Sequence, residues 1–230
     1  MSPLPTWFGS RVALPAPLAE RLDAWRALPE PRPDRPLQTV RLVVADCETS
    51  GLAPAVDRLL SLGAVTLEAM KVELATGFEA VLRQQLPSAN ANILIHGIGA
   101  DQQRSGEDPS EALMRFLEWG EKAPLIAYHA PFDATFVKRA MRQHLGLDPR
   151  LRWLDLAAIL PPLFDGPRNL ALDHWLERFG IETFVRHCAL GDALATAQLA
   201  QIALRKAESR GLLHFAALEK LAAAAHWLPR

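Results

Sequence analysis

Three apolar, β-branched runs crowd into residues 40–83 and then give way to segments of helical period, and this change of period restricts the fold more than any other feature. VRLVVAD (40–46) ends in a carboxylate, LLSLGAVTLE (59–68) follows it, and FEAVLR (78–83) comes next at hairpin-like spacing. They predict three adjacent antiparallel strands. From Pro109 the pattern alternates: PSEALMRFLEWGEK is helical, APLIAYH is a short buried strand, and DATFVKRAMRQHLG is a helix closed by Gly146. LRWLDL reads as a strand running into a helix, NLALDHWLERFG as a helix, and GDALATAQLAQIALRKAESRG as a long helix rich in alanine and leucine. HFAALEKLAAAAHWL is a last helix. This order predicts an α/β fold, a mixed sheet with helices packed on it.

With 230 residues, the chain can bury one sizeable core. The expected division is an N-terminal extension over 1–38, a main domain over 39–208 and a C-terminal helix over 209–230. Within the proline-rich extension, Leu18, Leu22, Trp25 and Leu28 recur at helical spacing and predict a short helix. No internal repeat is visible. The chain is 50% hydrophobic and 22% charged, the ordinary balance of a globular protein. No apolar run approaches the ~20 residues that span a bilayer, and the N-terminus lacks a basic-then-apolar secretory pattern. A cytoplasmic location and no membrane partner are expected. Cys47 and Cys188 cannot make a disulfide framework and read as reduced thiols. A formal net charge of −1 gives no general attraction to a polyanion, so any binding of nucleic acid must be local and partly metal-borne.

Three carboxylate-bearing segments sit where strands end or helices begin. In VVADCETSG, Asp46 and Glu48 stand at i and i+2 of a strand, so both face one side while Cys47 faces the other. Asp133 in LIAYHAPFDATF lies where a strand gives way to a helix. His187 and Asp192 in RHCALGDA bracket the start of the long helix. Singly, each has an ordinary explanation as a strand-end acid, a helix cap or a favourable contact with the helix dipole. Together, in this order, they form a series with a mechanism behind it.

On these residues the chain resembles the DEDD superfamily of exonucleases, in the histidine-containing branch that includes proofreading epsilon subunits of bacterial DNA polymerase III. The resemblance runs from about residue 41 to about residue 204. DRLLSLGAVTLE is similar to the family's second strand, IHGIG to its histidine-glycine-isoleucine loop, and WLDLAAIL with NLALDHWLERFGI to the helices before the last motif. It implies a ribonuclease H-like, mixed five-stranded sheet flanked by helices. It also implies metal-dependent 3′-to-5′ removal of nucleoside 5′-monophosphates from DNA ends, in proofreading or repair. Trimming of RNA or oligonucleotides, in the manner of ribonuclease T and oligoribonuclease, is the rival activity. A non-catalytic nucleic-acid-binding module on the same fold is the rival from another class.

By the same resemblance, Asp46, Glu48, Asp133 and Asp192 hold two Mg²⁺ or Mn²⁺ ions. Paired ions ~3.5–4 Å apart would neutralise the phosphoryl oxygens and stabilise the leaving 3′ oxygen, and hard cations prefer oxygen ligands. His187 is the general base, since an imidazole titrating at about 6.5 can accept the proton of the attacking water at neutral pH. Thr49, Ser50, Gly51 and Leu52 grip the terminal nucleotide, Leu52 as a wedge against the last base, with His96, Ile98 and Phe132 lining the same pocket.

The family pattern differs at two places. Tyr128 and His129 stand where a histidine-asparagine pair is common, and Ser50 stands where threonine is usual. Lys138, Arg139, Arg142, Arg150 and Arg152 are candidates for tracking phosphates of the strand. The expected partners are a nucleic-acid 3′ end, of single-stranded DNA in the first place, and a polymerase or other regulatory protein.

Overall fold

The computed structural model describes residues 12–183 and 187–227. Its centre is a five-stranded sheet of order β3-β2-β1-β4-β5. The strands are β1 (Leu42–Thr49), β2 (Leu59–Glu68), β3 (Lys71–Val81), β4 (Leu125–Ala127) and β5 (Trp153–Asp155). β1 and β2 pair antiparallel, as do β2 and β3, while β4 runs parallel to β1 and β5 parallel to β4. This is the mixed sheet that the order of strand and helix patterns predicts, with the five strands that the family resemblance implies. β3 starts earlier than the apolar run 78–83 implies. Its first half, Lys71 to Gly77, is largely exposed at the sheet edge and so lacks the apolar alternation by which strands are recognised.

β1 is buried on both faces, and its alternation sorts the core into two layers. Val43, Ala45 and Cys47 face one layer, and Leu42 and Val44 face the other. The first layer is covered by α1 (Ala16–Arg26), α4 (Pro109–Gly120) and α5 (Ala130–Leu145). α1 is the helix predicted in the extension; Leu18, Leu22 and Trp25 are buried in the first layer, and the indole N–H of Trp25 donates to the Glu121 carbonyl at 2.8 Å.

Across the sheet lie α6 (Leu156–Phe164), α7 (Leu172–Arg178), α8 (Ala189–Ser209) and α9 (Phe215–Trp227). α9 packs through Phe215 and Leu218, so the C-terminal helix shares the second layer. Two short helices, α2 (Asn90–His96) and α3 (Ala100–Ser105), fill a stretch that sequence periodicity leaves unassigned, being too brief to show a period. Among the described residues, no helix is long and apolar enough to cross a membrane.

Candidate active site

Asp46 and Glu48 leave β1 on the face where α8 lies, and the start of α8 is held close by a glycine. Gly63 is the β2 partner of Asp46, and a Cβ built on it would fall 2.2 Å from the Ala189 carbonyl carbon and the Leu190 nitrogen. Only the bare backbone lets the first turn of α8 rest on the strand. That contact carries Asp192, 6% exposed, to the two strand carboxylates. One oxygen from each of Asp46, Glu48 and Asp192 lies within 4.8 Å of the others. Three acids held this close repel one another, and an all-oxygen donor set of this kind suits a hard divalent cation.

His187 stands at the rim. Its side chain is exposed, and its backbone N–H donates to Asp192 Oδ2 at 3.0 Å, tying it to the carboxylate cluster. Its φ is 59°, a left-handed conformation that costs a non-glycine residue energy and is held here by the bond to Asp192.

Asp133 is not one of the three carboxylates grouped within 4.8 Å. It sits in the first turn of α5, on the Cys47 side of β1, 4% exposed, and its carboxyl lies against Cys47. Burial lifts its pKa to about 7, and burial likewise pushes the Cys47 thiol well above its usual range. Alternation along β1 turns Cys47 away from Asp46 and Glu48.

The Thr49–Leu52 turn is braced from below. Ser50 Oγ donates to Asp57 Oδ1 at 3.0 Å and accepts the Arg58 N–H at 3.0 Å, while Thr49 Oγ1 donates to the Gly51 carbonyl at 2.8 Å. A side chain at Gly51 would meet the Asp57 carboxylate at 2.5 Å. Arg139 donates to the Asp57 carbonyl at 2.8 Å and to that of Pro54, and the Asn92 amide donates to the Ser50 carbonyl. Leu52 projects from this frame 84% exposed.

His96 and Ile98, at 3% and 9% exposure, are packed rather than open to solvent. The His96 ring is bonded on both sides, Nε2 to Ser88 Oγ at 3.2 Å and Nδ1 accepting the Ile98 N–H at 3.1 Å. Phe132 is half-buried against Phe136, ring centroids 4.8 Å apart.

The Tyr128–His129 departure has a structural counterpart. The Tyr128 hydroxyl donates to the Leu170 carbonyl at 2.5 Å, and burial pushes its pKa to about 12. His129, with φ 61°, caps α5, and its N–H donates to Asp155 Oδ1 at 3.0 Å. The same oxygen caps α6 through the Ala157 N–H at 3.0 Å. Of the expected phosphate track, Lys138 and Arg142 on α5 both pair with Asp148, at 3.0 and 2.7 Å, and Arg152 pairs with Glu219.

Gly63, Asp57 and Asp155 are the positioning residues that sequence reasoning missed. A glycine inside a strand is the one local signal among them, since it marks a close backbone approach.

A mixed five-stranded sheet that gathers carboxylates from β1 and the start of α8, with His187 bonded to them, fits an exonuclease domain. Residues 43–200 match the RNase_T family model, described as an exonuclease, and the chain belongs to that family. It is 31% identical over 170 residues, 74% of its length, to the DNA polymerase III PolC-type protein of Caldanaerobacter subterraneus subsp. tengcongensis. It is 30% identical over 188 residues, 80% of its length, to the DNA polymerase III subunit epsilon-like protein of Rhodobacter capsulatus. The chain spans only 12% and 27% of those two relatives. Among solved structures it shares its fold with E. coli exonuclease I in complex with a dT13 oligonucleotide (TM-score 0.64, 20% identity, 75% of this chain and 42% of that one). It also shares it with the nuclease domain of 3′hExo, a DEDDh family member bound to rAMP (TM-score 0.63, 21% identity, 72% and 92%).

Proposed function

We propose that the chain is a metal-dependent 3′-to-5′ exonuclease that releases nucleoside 5′-monophosphates from DNA ends. The observation that carries this reading is the meeting of Asp46, Glu48 and Asp192 within 4.8 Å, with His187 tied to Asp192. Asp46, Glu48 and Asp192 would hold one Mg²⁺ or Mn²⁺, and Asp133 would be a ligand of a second. Bound there, the ions would neutralise the phosphoryl oxygens and lower the barrier to loss of the 3′ oxygen.

The chain's own side chains do the rest. His187, exposed and hinged at a left-handed residue, accepts the proton of the attacking water and hands it to solvent. The Thr49–Leu52 turn, braced by Asp57, Arg58 and Asn92, places the terminal nucleotide, with Leu52 against its base. The packed His96 and Ile98 support this wall of the pocket rather than touching the nucleotide. DNA is the favoured strand because the relatives named above are DNA polymerase III proteins. By the same token, a polymerase is the favoured partner.

The test is digestion of strands labelled at the 5′ or the 3′ end, DNA and RNA in parallel, with and without chelator. Stepwise shortening from the 3′ end of DNA, abolished by chelator, is expected. Cleavage from the 5′ end, or none with any divalent metal, would overturn the reading. A clear preference for RNA would reassign the substrate.

A further inference from the structure

A cleft of about 670 Å³ opens beside the Ser50 turn, between α5, the segment after β3 and the start of α4. Arg58, Arg83, Arg104 and Arg139 line it, against the carboxylates of Asp57 and Asp108. Four cations face two lining anions, and Arg104 also pairs with Asp101 at 2.9 Å, so the wall keeps a net positive charge in a chain whose formal net charge is −1.

The two acids are already engaged. Asp57 accepts from Ser50 and from the Ala53 N–H, and Asp108 caps α4 and pairs with Arg83 at 2.8 Å. Arg58 and Arg139 spend hydrogen bonds on carbonyls, those of Leu86 and Asp57, each at 2.8 Å. A guanidinium bonded to a neutral carbonyl keeps its full charge.

The cleft adjoins the turn that carries Ser50. Asp57 and Arg58 belong to its lining and also hold Ser50 Oγ. From there it follows α5 from Phe136 to His144, a run of ~12 Å with room for roughly three successive phosphates. Beside it stand two aliphatic side chains: Val56 and Leu86, next in sequence to the lining residues Asp57 and Gln85, are 74% and 70% exposed. A basic floor beside aliphatic side chains matches an unpaired strand, which offers phosphates on one side and open bases on the other. A duplex presents its bases already stacked and covered.

We propose that this cleft is a second nucleic-acid site, holding the phosphodiester backbone of the unpaired strand upstream of the nucleotide being removed. For its ligand it rests on the nuclease reading above. It stands in place of the outer face of α5, where Lys138 and Arg142 are both drawn to Asp148.

The full chain carrying Arg83→Glu with Arg104→Glu tests this. Both side chains are more than half exposed and pair with exposed acids, so the fold should survive, which a thermal melt checks. Anisotropy of a labelled single strand of about 20 nucleotides, measured in chelator to prevent hydrolysis, reads binding alone. The dissociation constant should rise about tenfold, and the slope of log affinity against log salt should flatten by about 1.4, two phosphate contacts at ~0.7 each. A lysine pair, Arg83→Lys with Arg104→Lys, should bind within about twofold of wild type because it keeps the charge.

With Mg²⁺ present, the ratio of KM for the long strand to KM for a dinucleotide should rise by a similar factor in the glutamate pair. An unchanged dissociation constant and salt slope in that variant would overturn the proposal. So would full displacement of the strand by thymidine monophosphate or inorganic phosphate, which would assign the cleft to a free phosphate compound. Equal affinity for blunt duplex would overturn the unpaired-strand assignment. Failure of the wild type to release nucleotides would count against the nuclease reading instead, and the chelated measurement would still decide on the cleft.

Discussion

Gly63 on β2 and Ala189 at the start of α8 touch backbone to backbone: a Cβ on the glycine would lie 2.2 Å from the alanine's carbonyl carbon. Since Gly63 is also the strand partner of Asp46, this contact sets the distance between the β1 carboxylates and Asp192. Gly63→Ala must push α8 outward. It should cost about 2 kcal/mol of stability by overpacking, and displacing Asp192 by as little as ~1 Å should cut nucleotide release on the order of 100-fold. Thermal melts and a release assay measure the two effects. Gly77→Ala is the control, because its Cβ would meet only Leu190 Cδ1 at an ordinary 3.5 Å. Similar behaviour of the two variants would refute the contact's role.

His187→Ala removes the proton acceptor and leaves the carboxylates in place. Turnover should fall by roughly 10²–10⁴, while the affinity for a strand, measured in chelator, stays within about twofold. Equal loss of binding and turnover would show that His187 holds the strand instead.

Metal binding should be visible without any substrate. Three acids within 4.8 Å destabilise the metal-free fold through mutual repulsion, so Mn²⁺ at saturating concentration should raise the melting temperature. At 100 times the dissociation constant the gain is about 2.7 kcal/mol. Asp192→Asn and Glu48→Gln should each reduce the shift. An identical shift in both variants would place the ion elsewhere.

Burial lowers the His96 pKa below its ordinary 6.5. In the folded chain Nδ1 accepts the Ile98 N–H, and protonation would remove that acceptor. The folded state therefore takes up its proton at lower pH than the unfolded state does. Where the unfolded chain binds more protons, stability rises with pH. The stabilisation from neutral His96 is present above about 6.5 and is lost as pH falls through the lowered value. His144, also lowered by burial, adds a slope of the same sign. Denaturant unfolding between pH 7 and 5 should thus show a shallower slope for His96→Gln than for wild type, with the His144 part remaining. Equal slopes would remove His96 from the account.

Asp155 Oδ1 caps α6 and holds the His129 N–H at the start of α5. Asp155→Ala should cost about 1–2 kcal/mol. It should also lower turnover more than strand affinity, because the start of α5 carries Asp133. Asp155→Asn keeps an acceptor and should recover most of the loss in both melts and kinetics.

Much of this was readable along the chain because it depends on near neighbours. Alternation in VRLVVAD puts Asp46 and Glu48 on one side of a strand and Cys47 on the other, and helical spacing marks α4, α5, α8 and α9. Ligand types in the right order then imply the chemistry. Local pattern says nothing about how far apart two segments lie, and there the structure decided. It put Asp133 against Cys47, buried His96, and paired Lys138 and Arg142 with Asp148. It lined one cleft with Arg58, Arg83, Arg104 and Arg139. The physical reason is that period and propensity act over a few residues, whereas burial, ion pairing and the approach of Gly63 to Ala189 arise only when segments distant in sequence pack into one core.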